Sequence, residues 1–265
     1  MESTSLISNL WTRYKRINAW TAMASYVATL VLFGLAFLPP FGERLQITLL
    51  VVAAGLAADY GLHKLQETGR SGFPRSGLIT SLIVTLLMPP EVPLLQALLA
   101  VLLAIGSKHF LLKGRRHIFN PASFGVAVTA ALFGFGLGWW PDNYTAFNGY
   151  LILAVGLGLV NVYRVRKYPQ LLAFAAVYFL LVFIGTDFKL PALSVQSLAS
   201  AWPWFFTFYM LPEPLTSPGQ KQQQLIFGAL AALVTAGALQ VELLSRAAPL
   251  WGLLAANAYA AVKRP

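Results

Sequence analysis

From Trp20 to Leu38 the chain carries no charged side chain, and uncharged apolar runs of this kind recur along its length. About 20 apolar residues in a helix cross the hydrocarbon core of a bilayer. Inside lipid a chain must satisfy every backbone polar group by itself, so such runs dictate helices. Breakers divide the sequence into ten predicted spans, at approximately 20–38, 45–62, 76–90, 92–107, 121–140, 149–163, 170–186, 193–211, 224–240 and 247–262. The predicted fold class is an all-α polytopic membrane protein, a single membrane domain over 1–265 with 1–19 as a cytoplasmic N-terminal segment. No A-x-A site follows the first run, so the first span is expected to be retained. Composition agrees: only 11% of residues are charged, against roughly 25% in a soluble domain.

The net charge of +10 would suggest nucleic acid in a soluble protein. Here the cations sit in short loops between apolar runs, where membrane orientation and a lipid surface explain them, and nucleic acid is not expected as a partner. With the N-terminus inside, all but Arg44, Lys189 and Arg246 of the 19 Lys and Arg fall on the cytoplasmic side. Both termini are therefore expected in the cytoplasm, with the loop 141–148 outside.

Two spans are unusual. Ser76–Pro90 is short and ends in Pro-Pro, and the eighth runs into "MLPEPLTSPG", whose prolines and glycine forbid regular helix. Met88-Pro-Pro-Glu91 is echoed by Met210-Leu-Pro-Glu213, and "QALLAVLLAIG" (96–106) by "FGALAALVTAG" (227–237). These echoes predict two five-helix repeats, 20–140 and 149–262. Five is odd, so the second would enter the membrane from the opposite side, and ligands of such inverted repeats sit near the midplane.

The candidate site residues follow from the helix starts and the broken segment. "FNPASFG" places a strong N-cap at Asn120 and a proline at the first helical position, Pro121, with Ser123 in the first turn. Free N–H groups there, near Lys108, Lys113, Arg115 and Arg116, suit an anion or a carbonyl. "RSGLIT" (75–80) gives a second start with Ser76, Gly77 and Thr80, and "PEPLTSPG" offers Glu213, Thr216 and Ser217 beside Tyr209 and Phe205. Each of these also has a plain structural reading as a cap or a turn closure. His63, His109 and His117 lie in or beside basic loops and are read as polar loop residues, so no metal or haem site is expected. Without cysteine there is no cysteine-ligated cluster. Carboxylates in the spans are sparse, Glu213 being the candidate for a proton or sodium path.

"SGLITSLIVTLLMPP", "SKHF", "HIFNPASFGVAV", "PEPLTSPGQKQQQLIFGAL" and "LLAANAYA" resemble the RnfD/NqrB family over approximately 70–135 and 200–262. The resemblance implies a membrane subunit of Rnf-type or sodium-translocating NADH:quinone reductase complexes in the cytoplasmic (inner) membrane of a prokaryote. It also implies a ten-helix inverted-repeat fold with a urea-channel-like layout, and flavin as the redox group. One departure stands out. Members that hold FMN covalently use a threonine in an "S-G-A-T"-like motif, whereas this chain reads "WWPDNYTAFNGY" (139–150), with Thr145 lacking the small residues before it and Asp142 set to repel a phosphate. Non-covalent FMN or riboflavin is therefore expected, held at Ser76 and Asn120 with the Pro212–Pro218 segment facing the ring. The expected partners are other electron-transfer subunits, a flavoprotein reductase, or a quinone. The alternative is a channel or carrier for a small polar solute, or for flavin, using the same midplane site.

Overall fold

The computed structural model describes residues 18–66, 73–114, 116–142, 148–185 and 202–264. Helices occupy nearly all of it: α1 (Ala19–Phe37), α2 (Phe41–Leu65), α3 (Arg75–Leu87), α4 (Leu94–Phe110), α5 (Pro121–Phe133), α6 (Asn148–Val165), α7 (Tyr168–Gly185), α8 (Lys221–Leu239), the short α9 (Glu242–Ser245) and α10 (Ala248–Lys263). A two-residue hairpin, β1 (Leu112–Lys113) with β2 (Arg116–His117), joins α4 to α5. Gly114 turns it at φ +61°, a conformation open to glycine because it has no Cβ.

Nine of the ten predicted spans coincide with helices. Of the eighth, 193–201 and the cations Arg115 and Lys189 lie outside the described residues; Phe206–Met210 forms a single wide turn of π type. The fifth is shorter than expected. It stops at Phe133, where Gly134 adopts φ +74° and its N–H closes on the Ala130 carbonyl. The chain from 134 to 139 is then spent on the end of α3: the Gly138 N–H donates to the Leu87 carbonyl (2.7 Å) and the Trp140 indole to the Met88 carbonyl (2.8 Å). Those carbonyls lose their helical partners because Pro89-Pro90 ends the helix, so Glu91 and Val92 do not return their N–H groups to them.

Two three-helix packings organise the described residues. In the N-terminal half α2 packs on α4 and α4 on α5; in the C-terminal half α7 packs on α8 and α8 on α10. Within them, α4–α5 and α8–α10 are the pairs that close on a glycine. A Cβ at Gly125 would lie 2.1 Å from the Ala100 carbonyl oxygen and 2.8 Å from the Ala104 Cβ, and one at Gly252 would lie 2.4 Å from the Ala231 oxygen and 2.2 Å from Thr235 Oγ1. Only a missing side chain lets the backbones approach so closely. The helix exteriors carry Leu32, Leu49, Leu95, Leu132, Ile152 and Leu172 in exposed positions. Two helices, Phe41–Leu65 and Lys221–Leu239, are long and apolar enough to cross a membrane.

Candidate functional site

The starts of α3 and α5 and the proline-rich segment after the π turn meet around a cavity of about 160 Å³. Ser76, Thr80, Asn120, Pro121, Tyr209 and Glu213, all named from the sequence, line it; Met23, Ile79, Ile83 and Leu215 give it an apolar wall, and Pro212 and Pro214 flank Glu213. Gly77, Lys108, Ser123, Thr216 and Ser217 lie off the cavity. His117 and Asn161 line it and were not assigned to it from the sequence.

Asn120 is the hub. Its Oδ1 accepts from the Ser123 N–H (3.0 Å), the expected cap, and its Nδ2 donates to Glu213 Oε2 (2.9 Å). Its backbone N–H donates to Asn257 Oδ1 on α10 (2.8 Å), and Asn257 Nδ2 donates in turn to the Thr216 carbonyl (3.3 Å). Glu213 Oε2 also accepts from Thr216 Oγ1 (2.8 Å), Glu213 Oε1 lies 3.5 Å from His117 Nε2, and Ser217 Oγ donates to the Glu213 carbonyl (2.6 Å). One carboxylate thus ties the first turn of α5 to the broken segment and, through Asn257, to α10. The Ser123 Oγ is buried without a hydrogen-bond partner among the described residues.

The broken segment frees carbonyls that need donors. Asn161 Nδ2 on α6 donates to the Phe208 carbonyl (2.9 Å), and Gln170 Nε2 on α7 to that of Leu211 (2.6 Å). Tyr209 places its ring at the cavity while its hydroxyl donates to the Ala154 carbonyl (2.8 Å). Asn161, Gln170 and Asn257 each stand as lone amides in apolar runs. That signal could have identified them, because an amide in such a run must have a buried partner.

A second polar cluster overturns the reading of the histidines as loop residues. His63 and His109 end helices α2 and α4, and both converge on Asp59, which is fully buried. Lys108 Nζ and His109 Nε2 each lie 2.7 Å from Asp59 Oδ1, His63 Nε2 lies 3.7 Å from it, and His109 Nδ1 lies 3.0 Å from Gln66 Oε1. Asp59, His63 and His109 have the donor types of a metal site, yet the Lys108 ammonium already stands where a cation would neutralise the carboxylate. Gly77 completes the cluster: a Cβ there would lie 2.6 Å from Asp59 Oδ2. At the start of α3, Gly77 thus lies against the Asp59 carboxylate while Ser76 and Thr80 line the cavity.

Charges outside the helices are also perturbed. Burial lowers the Lys167 ammonium to about 8, with nearby Arg264 adding to the effect. Burial and Arg116 lower Arg264, while Glu213 raises it. Asp142 accepts from the Phe205 N–H (2.8 Å), and burial raises its carboxyl to about 8. Thr145 and Asn143 lie outside the described residues.

A mostly helical chain with exposed leucines on its helix exteriors and two helices long and apolar enough to cross a membrane has the make-up of a membrane protein. Residues 41–156 match the model of the NQR2, RnfD, RnfE family, and over that stretch the chain is RnfD/NqrB-like. Proteins of this family are membrane subunits of Rnf and Nqr complexes. Comparison with curated proteins finds no match.

Proposed function

We propose that this chain is a membrane subunit of an Rnf/Nqr-like electron-transfer complex that binds a flavin non-covalently in the cavity and relays electrons to or from a partner flavoprotein or quinone. The observation that carries the reading is the cavity itself: apolar walls at Ile79, Ile83 and Leu215 suit a flat ring, and Ser76, Thr80, Asn120, His117 and Glu213 suit its polar edge. A bound flavin would supply one- and two-electron chemistry that these side chains lack. What the chain contributes is orientation, exclusion of water by the apolar wall, and a proton-bearing pair in His117 and Glu213, 3.5 Å apart at the cavity edge.

The fold behind this reading is a pair of inverted five-helix repeats with both termini cytoplasmic. Its support is the glycine seats. Setting 96–106 beside 227–237 pairs Ala100 with Ala231 and Ala104 with Thr235, and these are the residues against which Gly125 and Gly252 close. Both glycines are the fifth residue of their helices, α5 and α10. The orientation rests on the loop cations.

The size of the cavity favours a second reading. About 160 Å³ is below the roughly 300–1,000 Å³ of most ligand pockets, which suits a small polar solute passing through a channel or carrier. An absorbance spectrum of detergent-purified protein separates the two. A flavin spectrum whose chromophore leaves on denaturation upholds the electron-transfer reading; a colourless protein that moves small polar solutes in liposomes replaces it.

A further inference from the structure

Behind the cavity residues His117 and Val165 stand cations that the reading above does not use. Arg264 Nη1 donates to the His117 carbonyl (3.2 Å), placing the guanidinium beside a cavity residue. Its Nη2 is buried and has no hydrogen-bond partner among the described residues. The Arg264 carbonyl accepts from Lys113 Nζ (2.7 Å), which brings another cation onto the same turn. Lys167, only 6% exposed, follows Val165 of the cavity wall, and its ammonium donates to the Pro218 carbonyl (2.5 Å). An ammonium has three donors, so this bond leaves others to place. Arg116 adjoins His117 and is within electrostatic reach of Arg264.

Among the described residues the carboxylate that acts on Arg264 is Glu213, whose Oε2 already accepts from Asn120 and Thr216. Half-buried like charges with a surplus of donors cost stability until an anion joins them. Burial lowers both cations, Arg264 lowers Lys167 further and Arg116 lowers Arg264, which is the same imbalance seen from the cations. With Lys113 on the same turn the cations outnumber Glu213 by two or more, which a phosphate monoester of about −1.5 to −2 matches better than a single carboxylate. A guanidinium fork and a lysine point charge are the usual pair for such a group.

We propose that Lys167 and Arg264, backed by Arg116, form a phosphate-binding site beside the cavity lined by His117 and Glu213. A ligand with its ring inside the cavity and a phosphate on its tail would fill both places; the identity of the ring rests on the flavin reading, the phosphate site does not. FMN is then preferred over riboflavin.

Flavin fluorescence quenching on protein in neutral detergent measures both affinities. FMN should bind about tenfold more tightly than riboflavin, the effect of one or two charge-assisted hydrogen bonds. Inorganic phosphate should weaken FMN binding and leave riboflavin binding alone. In the Lys167→Gln/Arg264→Gln double variant the two flavins should bind alike, with riboflavin affinity as in the wild type. Arg264→Gln alone, near the chain end, should give part of the loss if the double variant fails to fold. A preference present in phosphatidylcholine nanodiscs but lost in phosphatidylglycerol ones upholds the site and makes a lipid headgroup its occupant. Equal affinities in wild-type protein, untouched by inorganic phosphate, overturn it. If neither flavin binds, the flavin reading falls, and calorimetric titration with inorganic phosphate decides: heat lost in the double variant upholds the site, and no heat in the wild type overturns it.

Discussion

Replacing Asn120 by aspartate keeps the helix cap, since a carboxylate oxygen accepts from the Ser123 N–H as well as an amide oxygen does. It removes the donor to Glu213, however, and sets a second carboxylate at the 2.9 Å contact. Two full charges at that distance repel by about 6 kcal/mol at an effective dielectric of 20. The pair escapes by holding one proton between its carboxyls. The folded variant therefore has a carboxyl titrating above its unfolded value; its contribution to stability is complete in acid and is lost as pH rises through the folded value. Thermal unfolding of Asn120→Asp in detergent should match wild type in mild acid and fall progressively behind it towards alkaline pH. Adding Glu213→Gln returns an amide to face the new carboxylate and should recover most of the loss. If Asn120→Asp melts like the wild type at every pH, the bond between Asn120 and Glu213 is not what fastens α5 to the broken segment.

Gly125→Ala and Gly252→Ala should each destabilise by about 1–3 kcal/mol or more, in similar measure if the halves are equivalent. Gly106→Ala, whose Cβ meets nothing within 4 Å, should be neutral or stabilising by up to about 1 kcal/mol; unequal melting shifts for the first two would count against the repeat. Because its folded carboxyl titrates near 8, Asp142 contributes stability that declines as pH rises from its ordinary range to about 8, by up to about 1.4 kcal/mol per unit. Melting temperatures of Asp142→Asn should lack that share of the slope, and an unchanged slope would assign the proton elsewhere. Lys108→Met should cost about 3–5 kcal/mol by leaving Asp59 without its cation; a cost under about 1 kcal/mol in chemical unfolding would mean that His109 and His63 neutralise Asp59 by themselves.

Helix positions were legible because apolar runs and prolines are local signals. Where α5 ends was not, because Gly134 reads as one more small residue in an apolar run and its αL conformation comes from the need to bring Gly138 and Trp140 under α3. Six cavity residues were legible from caps and turns: Asn120 announces a helix start, and Glu213 stands between prolines. The hydrogen bond between them was not, since 93 residues separate them and no local pattern encodes the contact. The Asp59 cluster was missed for a related reason. Its members looked like ordinary ends of helices, and only the packing of α2, α3 and α4 brings their polar tips together.

The prolines around Glu213 leave a chemical signature on the cavity. Pro121, Pro212 and Pro214 have no backbone N–H, and the Glu213 N–H is spent on the Met210 carbonyl at 3.3 Å. This stretch of wall is therefore short of hydrogens and long in lone pairs, with a carboxylate at its centre. A molecule lying against it finds acceptors and must bring its own donors, an imide or amide N–H or a hydroxyl, whereas the phosphate end of the same molecule finds donors a few residues away. With the proposed phosphate site beside this wall, the two would read opposite polarities, which would set the direction in which a phosphate-bearing guest lies.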